Sequence, residues 1–179
     1  MTCSLLHATA AHLLALLSAP GGARVELAGS IRRRRPDPHD IELVAAPVGD
    51  EFDNRLLELQ MLGILQLDPA HKASGPRYQR RLFRGAPVDI FMVRPPAQWG
   101  VIFAIRTGPA GFNTHTVTAR SAGGLMPARM RCSGGQLWRD DMPLTTPEEA
   151  DHFRELGIPF WSPEQRTLAR LLQWQRDRQ

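Results

Sequence analysis

Leu6, Ala10, Leu13, Leu14 and Leu17 recur at helical spacing, so the first segment predicts an amphipathic helix that belongs to the fold. Its small residues near Ala19-Pro20 superficially match a secretory leader, but it has no basic start, and His7 and His12 interrupt the apolar stretch. Gly21-Gly22 breaks this helix, and short strands are expected at Arg24–Ala28 and Asp40–Val44. Asp53 to Leu65 has apolar residues at helical spacing (Leu56, Leu57, Leu59, Met61, Leu62) behind capping candidates Asp50 and Asp53. Arg77–Phe83, a turn at Arg84-Gly85-Ala86-Pro87 and Val88–Val93 predict a hairpin. Gln98–Ile105, stopping at Thr107-Gly108, and Phe112–Ser121 read as helices.

Beyond Gly123 the texture changes. Ala128–Cys132, Ser133-Gly134-Gly135 and Gln136–Arg139 predict a small hairpin. Thr146-Pro147-Glu148-Glu149 places a threonine N-cap, a proline at the first helical position and a glutamate at the third, and Ser162-Pro163-Glu164-Gln165 repeats the device. The expected class is α+β: helices on a mixed sheet over residues 1–106, then a smaller, mainly helical subdomain over 107–179.

Charge adds a possible partner. The chain carries 22 basic and 18 acidic residues, a net charge of +4, and every basic residue except Lys72 is arginine. Arginine forks pair bidentately with phosphate, yet the same bias follows from a GC-rich genome, and charge alone does not separate the two. Cys3 and Cys132 belong to no metal-ligand cluster, which fits a reducing compartment and excludes a structural zinc site. No apolar run reaches the roughly 20 residues of a membrane span, so a cytoplasmic protein without a membrane partner is expected.

The most informative stretch runs from Gly29 to Leu43. Asp40 and Glu42, two apart in an apolar strand, project from one face while Ile41 and Leu43 point into the core. Side-by-side carboxylates repel unless a cation holds them, and Mg²⁺ takes oxygen ligands in such an array. Asp89 lies in another apolar strand, Val88–Val93. If the strands are neighbours, Asp40, Glu42 and Asp89 converge as the ligand set of a two-metal site, with ions about 3.5–4 Å apart. The plainer reading is one acidic residue on the solvated face of each strand. Gly29 permits close backbone approach, Ser30 offers hydroxyl and amide donors, and Arg33 reaches the same place, as a triphosphate requires.

Gly29-Ser30, a spacer and Asp40-x-Glu42 resemble the signature of the DNA polymerase beta-like nucleotidyltransferases. Gly29-Ser30-x-Arg32-Arg33 with Asp40-x-Glu42, Val88-Asp89-Ile90, and Gly100-Val101 with Thr107-Gly108-Pro109-Ala110-Gly111-Phe112-Asn113 are similar to the motifs of family X DNA polymerases. The likeness covers roughly residues 5 to 170, with Glu42 in place of the usual second aspartate. It implies a palm over 1–106 and a thumb-like subdomain over 107–179 that contacts nucleotide and DNA. Two Mg²⁺ ions, replaceable by Mn²⁺, would sit on Asp40, Glu42 and Asp89, with Asp89 as base for the primer 3′-hydroxyl. Gly29, Ser30 and Arg33 would bind the triphosphate, and Thr107, Gly108 and Asn113 would face sugar and base. Lys72, Arg77 and Arg120 would touch DNA. The implied activity is dNMP addition from a dNTP to a primer in short gaps, by a monomer in a nucleoid or, for a viral chain, in host cytoplasm. A terminal or small-substrate nucleotidyltransferase and a non-catalytic DNA-binding module are the alternatives.

Other residues are assigned plainer roles: His39 and His115 to loop and surface positions, the four tryptophans to packing, and Asp140-Asp141 to a turn.

Overall fold

Strand order and register decide what the first half of the chain can bring together. The computed structural model describes residues 3–18, 23–71 and 74–178, and the chain divides into two compact units, Met1–Arg94 and Pro95–Gln179. The first carries α1 (Cys3–Leu17), β1 (Arg24–Leu27), the single helical turn α2 (Gly29–Arg32), β2 (Ile41–Ala46), α3 (Glu51–Met61), β3 (Leu65–Leu67), β4 (Tyr78–Phe83) and β5 (Ala86–Met92). The sheet order is β1-β2-β5-β4-β3. The β2/β5 pair is parallel, and the other pairs are antiparallel.

Alternation along the strands explains the core. Ile41, Leu43 and Ala45 of β2 and Val88, Ile90 and Met92 of β5 pack with Leu13 of α1 and Leu56 of α3 in one buried cluster. Their in-between neighbours, Glu42 and Asp89, therefore project from the opposite face. The amphipathic reading of α1 holds. The expected break at Gly21-Gly22 lies outside the described residues.

The second segment expected as helix is shorter than predicted. α3 begins at Glu51 and ends at Met61, and Leu65 opens an edge strand that the helical spacing hid. Leu57, Met61 and Leu62, counted as apolar helix positions, are exposed, whereas Phe52, Leu56 and Leu59 are buried. The β4–β5 turn is tighter than expected. Arg84 and Gly85, both at positive φ (53° and 77°), form the whole loop, so Ala86 and Pro87 belong to β5.

The second unit contains α4 (Trp99–Thr107), α5 (Ala110–Val117), β6 (Met130–Ser133), β7 (Gln136–Arg139), β8 (Met142–Pro143), α6 (Glu149–Leu156) and α7 (Leu168–Arg176). The unit boundary lies after Arg94 rather than after residue 106, because Val101 and Ala104 of α4 are built into the second core with Phe112 and Phe153. The expected helix 112–121 divides into α5 and a 3₁₀ turn at Arg120–Ala122. The expected hairpin gains β8 through a turn at Asp140-Asp141, making a three-stranded sheet in a subdomain expected to be mainly helical.

Helix starts also differ from expectation. Thr146 does not cap α6: its N–H donates to the Gln98 side chain and Glu148 is the N-cap, with Asp151 accepting from the Glu148 N–H at 2.8 Å. Ser162-Pro163 begins a single 3₁₀ turn, and Thr167 caps α7 by accepting from the Arg170 N–H at 3.2 Å.

A buried polar cluster ties the second core. Arg166 is 1% exposed, pairs with Glu149, donates to the Trp161 carbonyl at 3.1 Å and lies 4.7 Å from the Phe153 ring centroid. His152, beside them, is buried. Desolvation lowers its pKa to about 4, with Glu149 opposing and Arg166 assisting. An unfolded histidine titrates near 6.5, so between the two values the unfolded chain binds a proton that the folded chain refuses. Stability therefore falls as pH drops from about 6.5 toward 4, by on the order of 3 kcal/mol for this group. Denaturant melts across that range should show the loss in the native protein, and H152L should flatten it.

Candidate functional site

The site is built where β2 and β5 run side by side. Glu42 and Asp89 are register partners in the parallel pair, on the face away from α1 and α3. Asp40 is the bend residue immediately before β2, rather than a strand residue as expected. Burial raises its carboxyl pKa and the charge of Asp89 raises it further, against the opposing pull of Arg80 and His39.

The loop ahead of β2 closes onto Glu42. The Ala28 N–H donates to the Glu42 carbonyl at 2.8 Å, and Gly29 then turns at φ +58° into α2. A Cβ at Gly29 would stand 1.6 Å from Glu42 Oε2. Only glycine gives both that backbone conformation and that clearance. The Ser30 hydroxyl is buried and has no hydrogen-bond partner among the described residues. Burial lowers the Arg33 pKa while Glu42 and Asp40 act against that shift, placing its guanidinium in the field of both carboxylates.

Asp89 is held on both oxygens. Tyr78 Oη donates to Oδ1 and an Arg80 terminal nitrogen donates to Oδ2, each at 2.7 Å. Arg80 Nε donates in turn to Asp68 at 3.3 Å. Burial would lower the Arg80 pKa, but the hydrogen bond to Asp89 leads the influences that raise it on balance. The Tyr78 hydroxyl is pushed up by burial and then by its bond to Asp89. Asp40 and Asp89 are near enough to interact, and Glu42 is the register partner of Asp89; the described residues contain no group of three His, Cys, Asp or Glu side chains placed to hold a metal ion. Of the expected ligand set, Asp89 is engaged by Arg80 and Tyr78, and the Glu42 carboxylate lies on Gly29.

Tyr78, Arg80 and Asp68 were not anticipated. The alternation of Tyr78 and Arg80 is visible in sequence, but the four-residue turn expected at 84–87 would have set Leu82 against Asp89. The observed two-residue turn sets Arg80 there.

Arg77 is exposed, and Lys72 lies outside the described residues. Thr107, Gly108 and Asn113 belong to the second unit. Thr107 is fully buried. The Asn113 amide donates to the Ile105 carbonyl and, at 2.7 Å, to that of Gly108, closing the α4–α5 turn. His115 is bonded to Gln175, and exposed His39 lies 3.8 Å from Asp37. Among the described residues, no helix is long and apolar enough to cross a membrane. The chain matches no family model and no curated protein.

The Gly29–Glu42 contact makes a quantitative prediction. G29A should cost more than the about 1–3 kcal/mol of a left-handed non-glycine backbone. G63A, at φ +69° with nothing within 4 Å of the added Cβ, should cost only the backbone part. In urea unfolding, the excess should shrink when G29A is combined with E42A.

Proposed function

We propose that the first unit is a metal-dependent nucleotidyltransferase of the polymerase beta-like kind, adding dNMP from a dNTP to a primer 3′-hydroxyl in short DNA gaps. The observation that carries this reading is the Glu42–Asp89 register pair with Gly29-Ser30 folded against Glu42. Like charges set opposite each other destabilise a sheet unless something compensates them, and a bound cation would do so for the pair. The buried, unpartnered Ser30 hydroxyl supports a phosphate neighbour. The donor set, all carboxylate oxygen, suits Mg²⁺ or Mn²⁺.

Asp40, Glu42 and Asp89 would hold the metal. When bound, Mg²⁺ supplies positive charge against the attacking and leaving oxygens. Ser30 and Arg33 would bind the triphosphate oxygens. Asp89, oriented by Tyr78 and Arg80, would take the proton of the 3′-hydroxyl. The hydroxyl oxygen then bonds to the α-phosphorus as the bond to the bridging oxygen breaks, and pyrophosphate leaves.

The engagement of Asp89 by Arg80 and Tyr78 also favours a second reading, in which that carboxylate is a structural tie in a non-catalytic module. Labelled dNTP incorporation on a one-nucleotide gapped duplex, beside single-stranded primer, separates the readings. The wild type should add only the complementary nucleotide to the gap with Mg²⁺ or Mn²⁺, and D89N should lose about 10³-fold in rate while keeping its melting behaviour. Addition of any nucleotide to lone primer would instead identify a terminal transferase. Absence of addition in both metals, with D89N destabilised, would leave the structural tie.

A further inference from the structure

The second unit contains a recess of about 330 Å³ lined by Arg120, Leu125, Trp174, Gln175 and Arg178. One lining side chain is tied to a neighbouring helix: with the His115 proton on Nε2, His115 of α5 donates to Gln175 Oε1 of α7 at 2.9 Å. That bond uses the Gln175 carbonyl and leaves its amide nitrogen, with two donors, unpartnered among the described residues. Arg120 Nε donates to the Leu125 carbonyl at 3.2 Å, which fixes one edge of its fork. Its terminal nitrogens have no partner among the described residues. The Arg178 guanidinium lies 5.0 Å from the Trp174 ring centroid, and Trp174 packs at 88° to Trp161. Among the described residues, no carboxylate lines the recess. Asp177, next to Arg178 in sequence, accepts from Gln173 at 2.7 Å.

Two arginine forks and an amide beside an indole match an anion joined to a flat apolar group. The volume is at the small end of ligand sites, room for one unit rather than several. A duplex offers phosphates but keeps its bases stacked inside, whereas a single strand offers both a phosphate and a base face. We propose that this recess binds one nucleotide unit of single-stranded nucleic acid, with the phosphate on Arg120 and Arg178 and the base or sugar against Trp174. The carboxylates of the first unit play no part in this assignment.

The test is fluorescence anisotropy of a labelled oligothymidylate of about a dozen nucleotides, in EDTA and without nucleoside triphosphate, between about 50 and about 200 mM salt. Removing two phosphate contacts in R120Q/R178Q should reduce the log–log salt slope by about 1.4. W174L should weaken binding roughly tenfold, and W174F should restore most of it. R120Q/R178Q should melt as the wild type does, and W174F, which keeps a ring against Trp161, separates base contact from the packing that W174L loses. Unchanged affinity and slope in R120Q/R178Q would overturn the proposal. So would equal competition by inorganic phosphate at matched phosphate concentration, or equal binding of a duplex of the same length with no effect of W174L. Because the assay contains no metal, its failure would leave the nucleotidyl-transfer reading standing, and the converse also holds.

Discussion

Carboxylates set opposite each other on neighbouring strands repel, and a sheet keeps them there only if positive charge or donors compensate. In the first unit, that constraint organises everything around Glu42 and Asp89. Asp89 is compensated from β4 by Arg80 and Tyr78. Glu42 lies on Gly29, in the field of Arg33, with the backbone bent through a conformation that glycine alone adopts easily. The same two residues that would hold a divalent cation are thus secured by the protein's own groups. A metal entering this site must compete with Arg80 for Asp89.

The second unit solves a related problem in its interior. Arg166 and Glu149 are both buried, and removing either would leave an uncompensated charge. Backbone carbonyl, aromatic faces and ion pair together satisfy most of the guanidinium. Neutral His152 beside them makes the arrangement sensitive to acid.

How much of this was legible in the sequence follows from the physics of each signal. Period-two alternation around Glu42 and Asp89 placed both on a polar face, and the strand pairing agrees. The α+β class followed by adding the helices, most of which were readable from apolar positions recurring at 3.6-residue spacing. Short-range signals failed where tertiary partners overrode them. Thr146 looks like a cap, but the Gln98 side chain takes its N–H. Leu65 continues a helical pattern, but pairs with Phe83 as an edge strand. Arg80 was missed because cross-strand register depends on turn length, and two residues instead of four move every partner. The recess at Trp174 was invisible because its walls come from segments far apart in the chain.

The most direct measurement is an Mn²⁺ titration of the protein alone, followed by the electron paramagnetic resonance signal of the free ion. The account predicts a saturable suppression of that signal in the wild type, lost in E42Q and strengthened in R80M, where the competitor for Asp89 is gone. A free-ion signal rising in proportion from the first addition, identical in wild type, E42Q and R80M, would contradict it.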